Sequence, residues 1–348
     1  MQEGLLFDMF NCCRKVIAKL IKLNTPYWLK YLPSYLLSKI KTYHLEEDNY
    51  DLAFILDKNM RGWILEGICN EIVPYFQGKH IFYYGNGPFP KARNYFFPYY
   101  HLYISALKRN PILFRRNSVL LYTHPKIFPQ HSQKEIVFAM NRCQKIVIMN
   151  SHIQESLVQI GIKKELLKVV LGAADSEIFP THQRAGNVVG LCSAYYKRKN
   201  PELIVEVIKQ MPHCHFLLIG KDWEKYERFV EIKDLDNFEY IQIPYKDYPK
   251  QFSRMNVFFS PSFVEGGPIP LIEAMMSNVY PVASNTGFAE DLIDDDKNGI
   301  IFDPMNNNID EIIYFIDKGL TQTNKDIRTT VLKYTWQKYA SELFSLMK

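Results

Sequence analysis

The sequence predicts two doubly wound α/β domains in tandem, and three observations support this fold class. The length of 348 residues, with 47% hydrophobic and 23% charged residues, suits two globular domains of ~150 residues each. Short apolar runs alternate with helical segments along most of the chain. These runs are apolar on both faces, which indicates parallel sheets covered by helices on both sides. A polar segment at 181–187 separates two such series and is interpreted as a linker.

Composition excludes several classes of protein. The net charge of +5, from 42 basic and 37 acidic residues, is too small over this length to indicate nucleic acid as the main partner. No stretch approaches the ~18 consecutive apolar residues that span a bilayer, and the first residues are acidic where a secretory signal is basic. We therefore expect a cytoplasmic protein. The six cysteines form no CxxC pair, so we expect reduced thiols and neither a zinc site nor disulfides.

The first 48 residues are predicted to be an extension ahead of the two domains. Residues 9–45 carry seven basic residues and no acidic ones, interleaved with apolar and aromatic residues. On a helix Lys15, Lys19 and Lys22 would share one face, opposite an apolar face. Such a basic amphipathic stretch is typical of peripheral contact with a membrane surface. Packing on the domain behind it explains the pattern equally well, so both interpretations remain open.

The first α/β series is assigned to a domain at 49–182, and the second to a domain at 183–333. In the first series we predict strands at 51–56, 80–85, 118–123, 145–150 and 166–171, with helices at 62–76, 133–142 and 151–161. In the second we predict strands at 188–193, 215–220, 238–243, 257–260 and 280–284, with helices at 200–211, 249–255 and 270–276. The amphipathic C-terminal helix at 334–348 is assigned to the first domain. In this architecture a ligand lies beyond the carboxyl ends of the strands, in the cleft between the domains.

The segment 260–284 carries the clearest chemical signal. A strand is followed by Gly266 and Gly267 and then by a helix, whose N-terminus offers free amides and a positive dipole end to an anion such as a diphosphate. Glu265 and Glu273 flank this turn with seven residues between them. A carboxylate next to a phosphate is repelled, so sugar hydroxyls are its natural partner. The alternative is structural, with Glu265 capping the helix and Glu273 exposed to solvent.

With this combination of residues the chain resembles the retaining GT-B glycosyltransferases of group 1, which use nucleotide-sugar donors and carry two glutamates at this spacing. The resemblance extends over about 185–345 and is weaker in the first half. Where the commonest motif has an aromatic residue and a glycine, this chain has Gly267 and Pro268. Because proline has no N–H, the resemblance implies that the amides of Gly266, Gly267 and Ile269 hold the diphosphate.

Other positions match the family in the expected order. Lys199 matches the lysine of a basic pair that contacts the donor diphosphate, but the arginine expected at 194 is an alanine, so Arg198 or Lys197 must replace it. His124, just after a strand, matches a histidine that contacts the donor sugar. Trp336 matches the aromatic residue that opens the C-terminal helix. The remaining donor-binding positions implied by the resemblance are Ser193, Gly220, Ile243 and Glu273.

The resemblance implies transfer of a sugar from a nucleoside diphosphate to a hydroxyl acceptor with retention of configuration. Lys199 and Arg198 would stabilise the leaving diphosphate, while Glu265 would orient sugar hydroxyls and Glu273 would bind the ribose. The acceptor implied is a glycan or glycolipid in cell-surface polysaccharide assembly, at the inner face of the cytoplasmic membrane. No cofactor or metal is expected, and the acidic run at 294–296 is interpreted as a solvent turn. Two alternatives remain, a sugar-nucleotide epimerase of the same fold and a non-catalytic sugar-nucleotide-binding module.

Overall fold

The computed structural model describes residues 26–39, 48–85, 87–124, 131–306 and 308–347, and it contains two six-stranded sheets. The first sheet is formed by β1 (Tyr50–Leu56), β2 (His80–Tyr84), β3 (Ala92–Phe97), β4 (Asn117–Tyr122), β5 (Lys145–Ile148) and β6 (Leu167–Val169). The second is formed by β7 (Val188–Cys192), β8 (His215–Ile219), β9 (Phe238–Ile241), β10 (Val257–Ser260), β11 (Tyr280–Ser284) and β12 (Ile300–Phe302). We call the parts of the chain around these sheets the first unit and the second unit.

Both sheets are parallel and doubly wound. The strand order is β2-β1-β3-β4-β5-β6 in the first sheet and β12-β11-β10-β7-β8-β9 in the second. Every pairing between these strands is parallel. The fold class predicted from the sequence is therefore confirmed. In each unit the order reverses next to a central strand, which places a crevice at the carboxyl ends of the strands.

Helices cover both sheets and connect their strands. The α-helices are α1 (Leu32–Ser38), α2 (Ile64–Ile72), α3 (Tyr100–Leu107), α4 (Gln133–Met140), α5 (Ile153–Gln159), α6 (Pro201–Gln210), α7 (Tyr248–Phe252), α8 (Ile269–Met276), α9 (Ala289–Leu292), α10 (Ile309–Thr321), α11 (Arg328–Val331) and α12 (Trp336–Ser345). Short 3-10 helices lie at Tyr27–Lys30, Lys58–Met60, Val73–Tyr75, Pro111–Phe114, Lys164–Leu166, Lys197–Lys199, Trp223–Lys225, Glu227–Glu231 and Tyr245–Asp247.

Local sequence signals set several of these boundaries. Asn200 caps α6 with its side chain and is followed by Pro201, whose fixed φ suits the first helical position. Asn308 and Glu311 form a capping box at the start of α10. The helix α2 gives way to a 3-10 turn at Val73, because the following proline cannot donate to the helical ladder. These caps satisfy backbone donors that would otherwise lack partners at the helix ends.

Several elements were not predicted from the sequence, among them two pairs in which a helix follows a strand. The central strand β3 and the helix α3 lie in a segment where the apolar run is interrupted by Arg93 and Asn94. Asn94 is nevertheless buried, and its side-chain amide donates to the Asp51 carbonyl oxygen at 3.1 Å. The strand β12 is only three residues long, and α10 follows it. Because Asn94 is polar, the pattern of hydrophobicity did not reveal β3, although this residue is buried and hydrogen-bonded in the sheet.

The C-terminal helix α12 lies against the first unit. Phe344 packs against Phe76 with a ring-centroid separation of 5.0 Å. The Ala174 amide donates to the Tyr334 carbonyl oxygen at 3.1 Å where the chain passes between the two units. Trp336, at the first position of α12, is 3% exposed. These contacts join the second unit to the first through buried apolar surface.

The described part of the N-terminal extension packs on the first unit. The Tyr31 hydroxyl donates to a carboxylate oxygen of Glu135 at 3.1 Å, and the Ser34 hydroxyl donates to the Lys108 carbonyl oxygen at 2.6 Å. Trp28 and Leu36 remain exposed on the outer side of this segment. Residues 1–25 and 40–47, which include most of the basic stretch, lie outside the described residues. Within the described part of the chain, none of the helices has the length and apolar character to cross a bilayer.

Candidate functional site

The candidate site lies at the carboxyl ends of the central strands of the second unit. The 3-10 turn at Lys197–Lys199 follows β7, and the loop with Glu265 follows β10. These two strands are neighbours in the sheet. The loops that leave them therefore meet at one edge, where the N-terminus of α8 also begins. The sequence brings basic side chains, a carboxylate and a helix N-terminus together at this place because all three follow adjacent parallel strands.

Glu265 is held by two basic residues. Its Oε2 accepts from Nη1 of Arg198 at 2.9 Å, and its Oε1 accepts from Nζ of Lys199. The Ser262 hydroxyl also donates to Oε1, at 2.7 Å. The Glu265 side chain is only 7% exposed. Burial alone would raise the pKa of this carboxyl, but Lys199 and Arg198 outweigh it and lower the pKa to about 2. Glu265 is thus fully ionised at neutral pH.

The loops that carry these residues are joined by further hydrogen bonds. The Phe263 amide donates to the Arg198 carbonyl oxygen at 2.8 Å, and Nη1 of Arg198 also donates to the Val264 carbonyl oxygen at 2.9 Å. Below them, the Ser284 hydroxyl donates to the Ser262 carbonyl oxygen at 2.7 Å. The basic turn and the Glu265 loop therefore form one connected structure. Sequence analysis left Arg198 and Lys197 as alternatives, and the structure places Arg198 on Glu265 and Lys197 at the exposed side of the turn.

Glu273 lies in a different environment. It is 1% exposed in the middle of α8, and its Oε1 accepts from the Tyr245 hydroxyl at 2.7 Å. Burial raises the pKa of Glu273 to about 7; the bond from Tyr245 opposes this rise and the charge of Glu71 in the first unit adds to it. The structural alternative from the sequence, an exposed helix residue, is therefore wrong. The carboxyl is half-protonated near neutral pH.

Among the described residues the two glutamates share no hydrogen-bond partner, but both environments act on Cys192 at the end of β7. Burial is the largest cause of a raised pKa of the Cys192 thiol; the charge of Glu273 adds to it and that of Lys199 opposes it. Cys192 therefore lies within electrostatic range of both groups.

The Gly pair brings the two units into contact. A Cβ at Gly266 would lie 1.9 Å from the carbonyl oxygen of Thr123 in the first unit, and a Cβ at Gly267 would lie 2.8 Å from the Met149 side chain. The Gly266 carbonyl oxygen accepts from Nδ2 of Asn150 at 2.8 Å. Sequence analysis assigned these glycines to close approach of a ligand. The structure shows in addition that they permit close approach of the first unit, which sequence reasoning missed.

A second tight approach occurs beside the site. A Cβ at Gly220 would lie 1.9 Å from the Ser193 carbonyl oxygen, so only glycine fits there. The Ser193 carbonyl oxygen accepts from Nε1 of Trp223 at 2.8 Å, and the Gly220 amide donates to the Ile241 carbonyl oxygen at 3.1 Å. Ile243 follows two residues later and is half-buried. The structure thus places Ser193, Gly220 and Ile243 around the ends of β7, β8 and β9.

His124 and Ile269 complete the set of predicted site residues. His124 lies two residues beyond β4 in the first unit, next to Thr123, which meets the Gly266 loop. His124 is thus one residue from the backbone that meets the Gly266 loop. Ile269 is the first residue of α8 and is 3% exposed. The predicted residues thus lie beyond the carboxyl ends of the strands or in the helix α8.

Several residues at this junction were not found from the sequence. Ser262 and Tyr245 each hold one of the two glutamates. Trp63, which follows β1 and is 47% exposed, faces the second unit, where Nζ of Lys221 lies 5.1 Å from the Trp63 ring centroid. Hydroxyl groups and single aromatic residues carry no periodic signal. Only the spatial neighbourhood reveals them.

The acidic run at 294–296 is an exposed turn, as predicted. Lys297 pairs with Asp294 at 2.6 Å, Lys318 pairs with Asp296, and the Asp295 carboxylate accepts from the Ile301 amide at 3.0 Å. Elsewhere in the second unit, His213, Cys214 and Asp317 bring potential metal-ligand atoms within 4.8 Å of one another. His213 and Cys214 precede β8, and Asp317 lies in α10. This group is therefore at the opposite end of the strands from Glu265. The carboxylates of 294–296 are thus engaged by the chain itself.

A cavity of about 1000 Å³ lies on the outer side of the first unit, away from all the predicted site residues. It lies between the N-terminal segment and α4, and its walls include Tyr27, Phe138, Arg142 and Lys163. A smaller one of about 100 Å³ lies where β6 and α12 meet at the junction of the units. Neither of these two cavities is lined by Glu265 or Lys199.

Two parallel α/β units, with a helix N-terminus and a cation-bound glutamate at the carboxyl ends of the strands, define the architecture as GT-B. Residues 177–330 match the family model described as glycosyl transferases group 1. This match identifies the second unit as a domain of the glycosyl transferases group 1 type. The match covers the second unit and the segment that enters it. Comparison with curated protein sequences finds no match.

Solved structures support the fold over both units. A complex of HepE from Anabaena with UDP and glucose has a TM-score of 0.66 and 16% identity, covering 86% of this chain and 97% of that one. A complex of TarM from S. aureus with UDP has a TM-score of 0.58 and 19% identity, covering 73% and 55%. The apo lipopolysaccharide outer core galactosyltransferase WaaB has a TM-score of 0.60 and 15% identity, covering 84% and 99%. At these identities the likeness establishes the shared fold.

Proposed function

We propose that this protein transfers a sugar from a nucleoside diphosphate, most simply a UDP-sugar, to a hydroxyl acceptor on a glycan or glycolipid. One observation carries the proposal: Glu265, Lys199 and Arg198 meet beside the N-terminus of α8. Cations and helix amides suit a departing diphosphate, and a carboxylate suits sugar hydroxyls. The UDP present in structures of HepE and TarM supports the choice of donor base.

In the proposed reaction the second unit stabilises the leaving group. As the bond between the anomeric carbon and the diphosphate oxygen breaks, negative charge grows on the diphosphate. Lys199 and Arg198 neutralise this charge, together with the amides of Gly266, Gly267 and Ile269. These are charges and dipoles of the chain itself, so the proposed mechanism uses no metal ion. Ser193, Lys197, Gly220 and Ile243 line the approach to the nucleotide.

The two glutamates bind different hydroxyl groups of the donor. Glu265 holds hydroxyls of the transferred sugar near the reacting carbon, with His124 contributing from the first unit. Glu273 holds the ribose hydroxyls, since it lies deeper in α8 beside Tyr245. The binding energy of the nucleotide thereby positions the anomeric carbon for attack. Closure of the units at Gly266 excludes water that would hydrolyse the donor.

Retention follows from attack on the face that the diphosphate leaves. The acceptor oxygen forms its bond to the anomeric carbon, the bond to the diphosphate oxygen breaks with its electron pair, and the acceptor proton passes to a diphosphate oxygen. Among the described residues, the carboxylates at the site are already assigned to hydroxyl binding, so no covalent sugar intermediate is invoked. The proton balance is complete without a further base.

Substitution of Glu265 or Lys199 by alanine tests the assignment. Transfer of labelled sugar to a panel of lipid-linked and free glycan acceptors should be abolished in both variants, with unchanged circular dichroism. The matched control is Glu231→Ala, because Glu231 is also held by a lysine and an arginine but lies on the surface. Full activity in either site variant would refute the assigned roles. Epimerised sugar nucleotide without any acceptor would instead identify an epimerase, and binding without turnover would identify a sensor module.

The donor base is tested by thermal shift with UDP, GDP, ADP and CMP and with the corresponding sugar nucleotides. A ligand at ~100 times its dissociation constant stabilises a protein by ~2.7 kcal/mol, which is readily measured. We expect the largest shift with UDP and its sugars. A larger shift with GDP or ADP would keep the reaction class and change the donor.

We propose that the acceptor is lipid-linked and that the protein works peripherally at the inner face of the cytoplasmic membrane, in cell-surface polysaccharide assembly. The basic stretch at 9–45 and the exposed side chains of Trp28 and Leu36 support this location. Replacing both Trp28 and Leu36 with serine should reduce binding to anionic vesicles in a sedimentation assay. Val230→Ser, at another exposed apolar residue, is the control. Unchanged sedimentation of the double variant would argue against membrane contact through this surface.

A further inference from the structure

We infer that Glu265 acts as a latch on the donor site: its carboxylate competes with the donor diphosphate for Lys199 and Arg198, and is released to the sugar hydroxyls only when the diphosphate displaces it. The inference rests on the proposed function and adds an order of events to it. A diphosphate and this carboxylate are both anions that seek the same two cations. Each anion therefore reduces the attraction of those cations for the other.

The Glu265 carboxylate is already engaged by side chains of the second unit. One oxygen accepts from Lys199 and from the Ser262 hydroxyl, and the other accepts from Arg198 at 2.9 Å. A carboxylate offers about four acceptor positions in its plane. Three are used within the second unit. One position is left, so binding a pair of sugar hydroxyls requires Glu265 to leave at least one cation.

Arg198 and Lys199 both bind the Glu265 carboxylate. The Arg198 guanidinium binds the carboxylate and the Val264 carbonyl oxygen through the same nitrogen, Nη1. The Lys199 side chain is 15% exposed and that of Arg198 31%. Water screens such a pair weakly, so the competition between the two anions is strong. A diphosphate reaches these nitrogens by replacing the carboxylate.

Displacement of the carboxylate couples binding of the diphosphate to binding of the sugar hydroxyls. When the diphosphate takes the cations, Glu265 becomes available close to the carbon that the diphosphate leaves. Glu265 then binds the sugar hydroxyls only after the diphosphate has bound. By linkage, a change that weakens the carboxylate's hold on the cations must strengthen diphosphate binding to the same degree. A nucleoside without phosphates takes no part in this competition.

The experiment measures UDP and uridine affinity by calorimetry for the wild-type protein and for Glu265→Gln, which keeps the shape but removes the charge. We expect UDP to bind the variant roughly three- to tenfold more tightly, while uridine affinity is unchanged and sugar transfer is lost. Glu231→Gln is the matched control, since Glu231 sits between Lys209 and Arg228 on the surface, and we expect no change in either affinity.

The outcomes separate the latch from the proposed function. If wild-type protein binds no nucleoside diphosphate, the proposed function fails and the latch with it. If it binds UDP but Glu265→Gln binds UDP equally or more weakly, or gains equally for uridine, the latch alone is overturned. Should Glu265→Gln not fold, Ser262→Ala serves instead, because it removes one bond that holds the carboxylate and leaves both cations in place. A smaller gain in UDP affinity, again without a gain for uridine, then supports the latch, and no gain overturns it.

Discussion

Replacing Glu273 with glutamine should stabilise the protein at high pH and leave it unchanged at low pH. Burial in α8 raises the pKa of Glu273 from 4.5 to about 7. The folded protein therefore holds this proton more tightly than the unfolded chain does. The stability that comes from the protonated carboxyl is fully present below about pH 4.5 and is lost as the pH rises through about 7. Glutamine is neutral at every pH and escapes this loss.

The size of the effect follows from the two pKa values. A rise from 4.5 to about 7 corresponds to about 3 kcal/mol of stability lost by the wild-type protein at high pH. For a unit of this size each kcal/mol shifts Tm by roughly 2–4 °C. The Tm of Glu273→Gln minus that of wild type should therefore increase by roughly 5–10 °C between about pH 5 and about pH 8.

Thermal unfolding followed by circular dichroism at several pH values provides the assay. Glu231→Gln is the control, because Arg228 and Lys209 lower the pKa of Glu231 to about 2 and the group stays ionised throughout this range. The Tm difference of the control should be constant. A constant difference for Glu273→Gln as well would show that Glu273 is ionised at normal cost, and would refute the account of its environment.

Three further predictions concern the same junction. UDP binding near neutral pH should release protons from Glu273, because ribose hydroxyls favour the ionised carboxylate; calorimetry in buffers of different ionisation enthalpy measures this, and no release would contradict ribose binding there. Tyr245→Phe removes a bond that lowers the pKa of Glu273, so that proton release should increase; a decrease would contradict this. Gly266→Ala places a Cβ 1.9 Å from the Thr123 carbonyl oxygen and should lower transfer at least about tenfold with a larger radius of gyration in solution scattering, whereas Gly67→Ala, with nothing within 4 Å, should match wild type in both.

Most of the fold could be predicted because its strands are buried on both faces and so appear as continuous apolar runs. β10 and β11 were predicted with the bounds that the structure shows. β3 could not be predicted in this way, since Asn94 is a buried polar residue whose partner, the Asp51 carbonyl oxygen, lies on another strand. Hydrophobicity along one chain does not report a hydrogen bond formed across a sheet.

The candidate site was predictable where chemistry and chain order coincide. Glu265, Lys199 and Arg198 follow adjacent parallel strands, so their meeting follows from the topology. The contact of Gly266 with Thr123 depends on how two separately folded units approach each other. The sequence contains no periodicity that encodes this approach. The sequence shows Gly266, but it does not show that the Thr123 backbone packs against it.

The opposite protonation behaviour of the two glutamates explains why one spacing can serve two tasks. Glu265 precedes α8, where Arg198 and Lys199 from a neighbouring loop bind its carboxylate. It is therefore ionised and paired with these cations. Glu273 lies one helical turn inside and is buried, with a hydrogen bond from Tyr245, so part of its population keeps a proton. In the proposed mechanism a nucleotide sugar reverses both conditions, because its diphosphate takes the cations from Glu265 and its ribose favours the charged form of Glu273. Donor binding therefore creates two available carboxylates at sites where neither was fully available before.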